Sequence, residues 1–214
     1  MGLTPSVEVD DHFKQLKEWP WSRVSSVLRS YTNNEYDFGL DATAVMNLTS
    51  VTITDAKKLV DSLSRNDSGI INALSLLVVC ICLSDSKQRL ETDRLEETFS
   101  LVDFDGTSQI SKDELTILLL CISSAFASIL KRQSERPMDA AVGDMVTAIY
   151  KDLGKKSNNS VSKREFAMWC QSTFKDYGGT VDTLFEFFVK SEEPEEEVVQ
   201  AGVLPDYMDS VAED

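Results

Sequence analysis

The sequence predicts an all-α protein built as two helical lobes. Three observations predict it. Apolar residues recur at i, i+3 and i+4 through most of the chain, while few stretches alternate with period two. The helical stretches come in pairs separated by short polar loops, and the third loop is rich in carboxylates. With 214 residues, 42% of them hydrophobic, the chain is long enough to bury a core. The expected divisions are an N-terminal extension over 1–23, a first lobe over 24–90, a second over 91–178 and an acidic tail over 179–214.

Each polar loop spans twelve residues when it is aligned on an apolar residue in its eighth position. "EWPWSRVSSVL" (18–28) opens the first lobe, and its Trp19 and Trp21 are expected to pack in the core, or else to meet a partner. "NNEYDFGLDATA" (33–44) is the faintest loop, with Leu40 eighth, Phe38 sixth and Ala44 last. The helix "TDAKKLVDSL" then leads into "SRNDSGIINALS" (64–75), with Gly69 sixth, Ile71 eighth and Ser at both ends. "LLVVCICL" (76–83) follows and is apolar all round, the mark of a buried helix. "RLEETFSLV" (94–102) sets Leu95, Phe99 and Val102 on one face, and the next helix is "SKDELTILLLCISSAF" (111–126). "DMVTAIYKDL" finally leads into "GKKSNNSVSKRE" (154–165), with Val161 eighth and Glu165 last.

The loop between residues 103 and 114, "DFDGTSQISKDE", carries the chemistry. Calcium takes oxygen ligands, and a twelve-residue loop supplies them from its first, third, fifth, seventh (a backbone carbonyl), ninth and twelfth positions. Asp103, Asp105, Thr107, Gln109, Ser111 and Glu114 fall there in turn, with Ile110 eighth. Thr107 is a weaker ligand than Asp or Asn, and Ser108 stands in the sixth position, where the turn prefers glycine; a serine there costs about 1 kcal/mol. Three carboxylates remain, so affinity is expected at roughly 10⁻⁶ to 10⁻⁴ M, with magnesium able to sit in the loop at rest. Glu114→Gln is expected to abolish binding and Ser108→Gly to tighten it. The other loops are not expected to hold calcium. Loop 64–75 lacks both terminal carboxylates, and loop 154–165 has Gly154 first and Lys156 third, so changes at Glu165 are expected to be silent.

"FSLVDFDGTSQISKDEL" is similar to the loop signature of the EF-hand superfamily, and that resemblance covers residues 24–175. It implies four helix–loop–helix hands in two lobes, with short strands pairing the loops. A long gap before the last hand, carrying "KRQSERPMDAAVGD" (131–144), resembles neuronal calcium sensor-like and calcineurin B-like proteins. Within that group, "FGLDATAVMNL", the insert after the third loop and the acidic tail look most like calaxin-like proteins, calcium sensors of ciliary outer dynein arms and their docking complex. That resemblance implies a cytoplasmic protein of the cilium or flagellum axoneme. Three loops depart from the pattern, so multi-site calcium behaviour does not carry over.

Charge narrows the partners. Lys+Arg number 21 against 36 Asp+Glu, a formal net charge of −15. Such a chain repels nucleic acid and anionic lipid and favours cations and basic protein segments, although the same charge also serves solubility alone. The four cysteines, Cys80, Cys82, Cys121 and Cys170, form no CxxC pair and are expected to be free thiols in a reducing compartment. Residues 1–11 are polar and acidic, unlike a secretory leader, and no apolar run is long enough to span a membrane. The one histidine, His12, falls in a charged segment expected to fray, and no phosphate loop, GxSxG or HExxH occurs, so no enzyme is expected. "MGLTPS" fits a myristoylation pattern at Gly2, but no basic cluster follows and one such chain anchors only marginally. The tail has an apolar stretch, "TVDTLFEFFVK" (180–190), before the acidic "SEEPEEEVVQ" (191–200).

These features predict a protein that works by binding a partner helix in an apolar groove, a need that the strong hydrophobicity of the exit helices 76–83 and 115–130 suits. Calcium at loop 103–114 would make it a sensor. Three inactive loops equally suit a calcium-independent structural subunit, and a regulatory subunit of calcineurin B type is the third reading.

Overall fold

The computed structural model describes residues 11–34, 36–64, 68–84, 91–131 and 139–173. They are mostly helical. A 3-10 helix, Asp11–Glu18, precedes α1 (Trp21–Asn33), α2 (Ala42–Thr49), α3 (Ile53–Leu63) and α4 (Ala73–Leu83). Then come α5 (Glu91–Ser100), α6 (Lys112–Ile129), α7 (Asp139–Asp152) and α8 (Lys163–Thr173). Four two-residue strands punctuate them: β1 (Gly39–Leu40), β2 (Ile71–Asn72), β3 (Gln109–Ile110) and β4 (Val161–Ser162). Each strand lies between two helices, so helix, loop, strand and helix recur four times.

The strands pair antiparallel, β1 with β2 and β3 with β4. Leu40 faces Ile71, and Ile110 faces Val161. These are the four apolar residues that sequence places eighth in their loops, and all four are buried. The residue after each begins a helix for a local reason. Asp41 accepts the Ala44 N–H, Asn72 those of Leu74 and Ser75, Ser111 that of Glu114 and Ser162 that of Glu165. Each satisfies a first-turn N–H that has no partner within the helix. The two sheets also share a cross-loop bond: Ala73 N–H donates to the Phe38 carbonyl (2.8 Å) and Lys163 N–H to the Ser108 carbonyl (3.1 Å).

One core runs through the described residues. Helix α4 is buried on every side over residues 73–81, as its apolar run over 76–83 leads one to expect. It packs against α6, which also meets α3 and α7, while α5 packs on α8 through Phe99 and Phe166, 5.7 Å between ring centroids. The two most apolar helices thus pack against each other. The N-terminal segment differs from the frayed end expected. Its 3-10 helix buries Phe13 and Leu16, packs on α3 and α4, and joins His12 Nδ1 to Ser62 Oγ at 2.7 Å. The reason is the i, i+3 spacing of Phe13 and Leu16, continued by Trp19. Trp19 and Trp21 are core residues, and the Arg23 guanidinium lies 3.9 Å over the Trp19 ring.

Two arginine contacts close helix ends. Arg23 donates to the Thr49 carbonyl at the end of α2. Arg94, 3% exposed, donates to the Cys82 and Ser84 carbonyls (2.8 and 2.7 Å), where the dipole of α4 favours a cation. None of the four cysteines is in a disulfide, and burial pushes the Cys80 thiol up to about 12 and the Cys170 thiol higher still. No described helix is long and apolar enough to cross a membrane. Gly2, residues 132–138 of the insert and the tail from residue 174 lie outside the described residues.

Candidate metal centre

Loop 103–114 leaves α5 through two tight bonds, Leu101 N–H to the Thr98 carbonyl and Val102 N–H to the Phe99 carbonyl. The chain then folds back on itself. Gly106 N–H donates to the Asp103 carbonyl (3.2 Å), with Gly106 at φ 67°. Ser108 follows at φ 59°, a left-handed conformation that a serine adopts only under strain. Two bonds hold it there: its N–H donates to Asp103 Oδ2 (2.9 Å), and its carbonyl accepts from Lys163.

The acidic side chains are positioned by the loop itself. Asp105 Oδ1 accepts the Thr107 N–H at 3.0 Å, and the Thr107 hydroxyl and N–H hold the Asp105 carboxyl below the usual carboxylate range. The Thr107 hydroxyl donates to the Gln109 carbonyl, 3.3 Å away. Glu114 Oε2 accepts the Ser111 N–H (2.7 Å) and hydroxyl (2.8 Å), completing a capping box at the start of α6. Asp103 Oδ1 differs from the rest: it is shielded from solvent and has no hydrogen-bond partner. A buried carboxylate oxygen without a partner is costly, and a cation is the group that satisfies it.

The six expected ligand residues therefore lie along one tight loop, all offering oxygen. Among the described residues no three His, Cys, Asp or Glu side chains are gathered into one cluster. The capping box is the reason on the Glu114 side, because it directs that carboxylate to the first turn of α6. The donor set fits a hard cation of calcium type: two aspartates, a threonine hydroxyl, the Gln109 carbonyl, a serine hydroxyl and a glutamate.

The other three loops differ. In loop 64–75 Gly69 takes φ 68°, but Ser64 is occupied with Ser68 and no carboxylate stands at either end. In loop 33–44, Ala44 offers no ligand and Phe38 is 57% exposed, edge-on to Phe104 at 6.1 Å between centroids. A cavity of about 380 Å³ opens beside this pair, lined by Tyr31, Tyr36, Leu101 and Asp103 among others. In loop 154–165, Lys156 lies in the exposed turn, its N–H bonded to Asn159 Oδ1. The neighbouring Lys155, to which sequence assigns no role, turns inward. Its Nζ lies 3.0 Å from Glu165 Oε2 and donates to the Ser160 carbonyl at 2.7 Å.

No protein-family model matches the chain, and a search of curated proteins returns no match.

Proposed function

We propose that this chain is an EF-hand regulatory or adaptor protein that binds one calcium ion in loop 103–114 and acts by engaging a partner protein rather than by catalysis. The single observation that carries the calcium reading is Asp103 Oδ1, a buried carboxylate oxygen without a partner, in a loop closed by left-handed Gly106 and Ser108. Asp103, Asp105, Thr107, the Gln109 carbonyl, Ser111 and Glu114 would hold the ion. Calcium, when bound, supplies the positive charge that this oxygen lacks. Magnesium is the competitor at rest. The partner is a protein segment carrying apolar and basic residues, suited to a chain of net charge −15. Resemblance to calaxin-like proteins suggests an axonemal setting, in the outer dynein arm docking complex of a cilium or flagellum.

Calorimetric titration with calcium, in millimolar magnesium, tests this reading. One site is expected, with a dissociation constant of roughly 10⁻⁶ to 10⁻⁴ M. Glu114→Gln should abolish the heat while leaving the melting temperature nearly unchanged, because glutamine also serves the third position of a capping box. Unchanged calcium binding in that variant would remove the site assignment.

A second reading is a calcium-independent structural subunit of a larger assembly. The packing of α4 against α6 favours it, since each already covers an apolar face of the other.

A further inference from the structure

Loop 154–165 looks inactive by sequence, yet its seventh and twelfth positions are drawn together. In a calcium loop these positions supply a backbone carbonyl and a carboxylate to the ion. Here they are the Ser160 carbonyl and Glu165, and one group bridges them: the Lys155 ammonium, at 2.7 and 3.0 Å. The Lys155 side chain is 20% exposed, so most of its stem lies along the protein.

The local chain explains how a second-position side chain enters its own loop. Helix α7 ends with Gly154 N–H on the Lys151 carbonyl and Lys155 N–H on the Tyr150 carbonyl (2.8 Å), with Gly154 at φ 63°. This is a left-handed helix terminus, and Gly154 provides it without strain. In the paired loop the second position is Phe104, 56% exposed and against Phe38. The Tyr150 hydroxyl donates to the Asn159 carbonyl and fixes the turn before Ser160. Glu165 Oε2 also accepts the Ser162 N–H (2.9 Å) and hydroxyl (2.6 Å). The ammonium therefore ties the start of the loop to the first turn of α8. The next residue, Lys163, donates to the Ser108 carbonyl in loop 103–114, while Ile110 pairs with Val161.

We propose that Lys155 is the built-in cation of the fourth loop: its ammonium joins the Ser160 carbonyl to the Glu165 carboxylate in place of a metal ion, and through β4 it positions loop 103–114. Lys155 is a positioning residue, permanently present, so this half of the pair is set at any calcium concentration. The part concerning loop 103–114 rests on the calcium reading given above; the part concerning loop 154–165 does not.

Residue-resolved amide exchange on the full chain, with a calcium chelator present, tests it in the unsubstituted protein, Lys155→Met and Lys155→Arg. The Ser162 and Lys163 amides are the reporters, and the Ala73 amide, which makes the equivalent bond in the other sheet, is the internal reference. In Lys155→Met the reporters should exchange at least about tenfold faster with Ala73 unchanged, a local opening, and Lys155→Arg should restore most of the protection. Unchanged reporters, equal acceleration at Ala73, or an arginine variant no better protected than the methionine one overturns the proposal. Calcium titration of the same proteins should then show a dissociation constant raised about fivefold or more in Lys155→Met, the size of a typical coupling between sites. An unsubstituted chain that takes no calcium would sink the functional reading, and the exchange data would still decide the role of Lys155.

Discussion

Ser108 carries the clearest residue-scale conflict between chemistry and conformation. It sits at φ 59° because its N–H caps Asp103 and its carbonyl accepts from Lys163. Glycine would adopt that conformation without a Cβ penalty of about 1 kcal/mol. Ser108→Gly should therefore raise the melting temperature by about 3 °C, read by calorimetry. Glu165 gives a pH prediction. Burial alone would raise its carboxyl, but the Ser162 hydroxyl and N–H and the Lys155 ammonium outweigh it and hold the group below its ordinary 4.5. A depressed folded value means that the stabilisation is fully present above 4.5 and is lost as pH falls through the folded value. The urea midpoint of the unsubstituted protein should thus fall below 4.5, and Lys155→Met should lose part of that dependence. Arg94 is the third case: Arg94→Met removes the guanidinium donors to the Cys82 and Ser84 carbonyls at the end of α4 and should cost about 3 kcal/mol by urea unfolding.

At the scale of elements, the short strands do more than their length suggests. Two residues each would be unstable alone, but each strand is held between a helix end and an N-cap, so register is set by which residue starts the helix. The twelve-residue loop spacing is a local signal, and it made Leu40, Ile71, Ile110 and Val161 legible in the sequence as the eighth residues of four loops. Helix α4 is buried over residues 73–81, so side-chain truncation there should be costly. Leu76 is fully buried, so Leu76→Ala should cost about 3 kcal/mol, measured by denaturant unfolding. A cost under about 1 kcal/mol would mean that α4 is not packed as described.

For the whole molecule, the decisive feature is that α4 and α6 bury each other while the 3-10 helix covers α3 and α4. A fluorescent apolar-surface probe therefore reports directly on function. Calcium that raises its signal would mean that the helices part, and the protein is a sensor. Calcium binding without a change in signal would make loop 103–114 a structural site and favour the constitutive subunit.

The sequence by itself determined the helical class, the paired layout of the helices, the eighth-position residues and an oxygen-rich loop, because each is written within a dozen neighbouring residues. It also read Lys156 as the residue that disqualifies the fourth loop. Only the tertiary structure decided that Lys155 enters that loop, that Arg94 closes α4, that residues 11–18 pack on α3 and α4, and that α4 packs against α6. The physical reason is that hydrophobic burial is non-directional: periodicity says that a face is apolar, but not which face will cover it. An ammonium likewise finds its carbonyl and carboxylate only after Gly154 has turned the chain and the loops have paired.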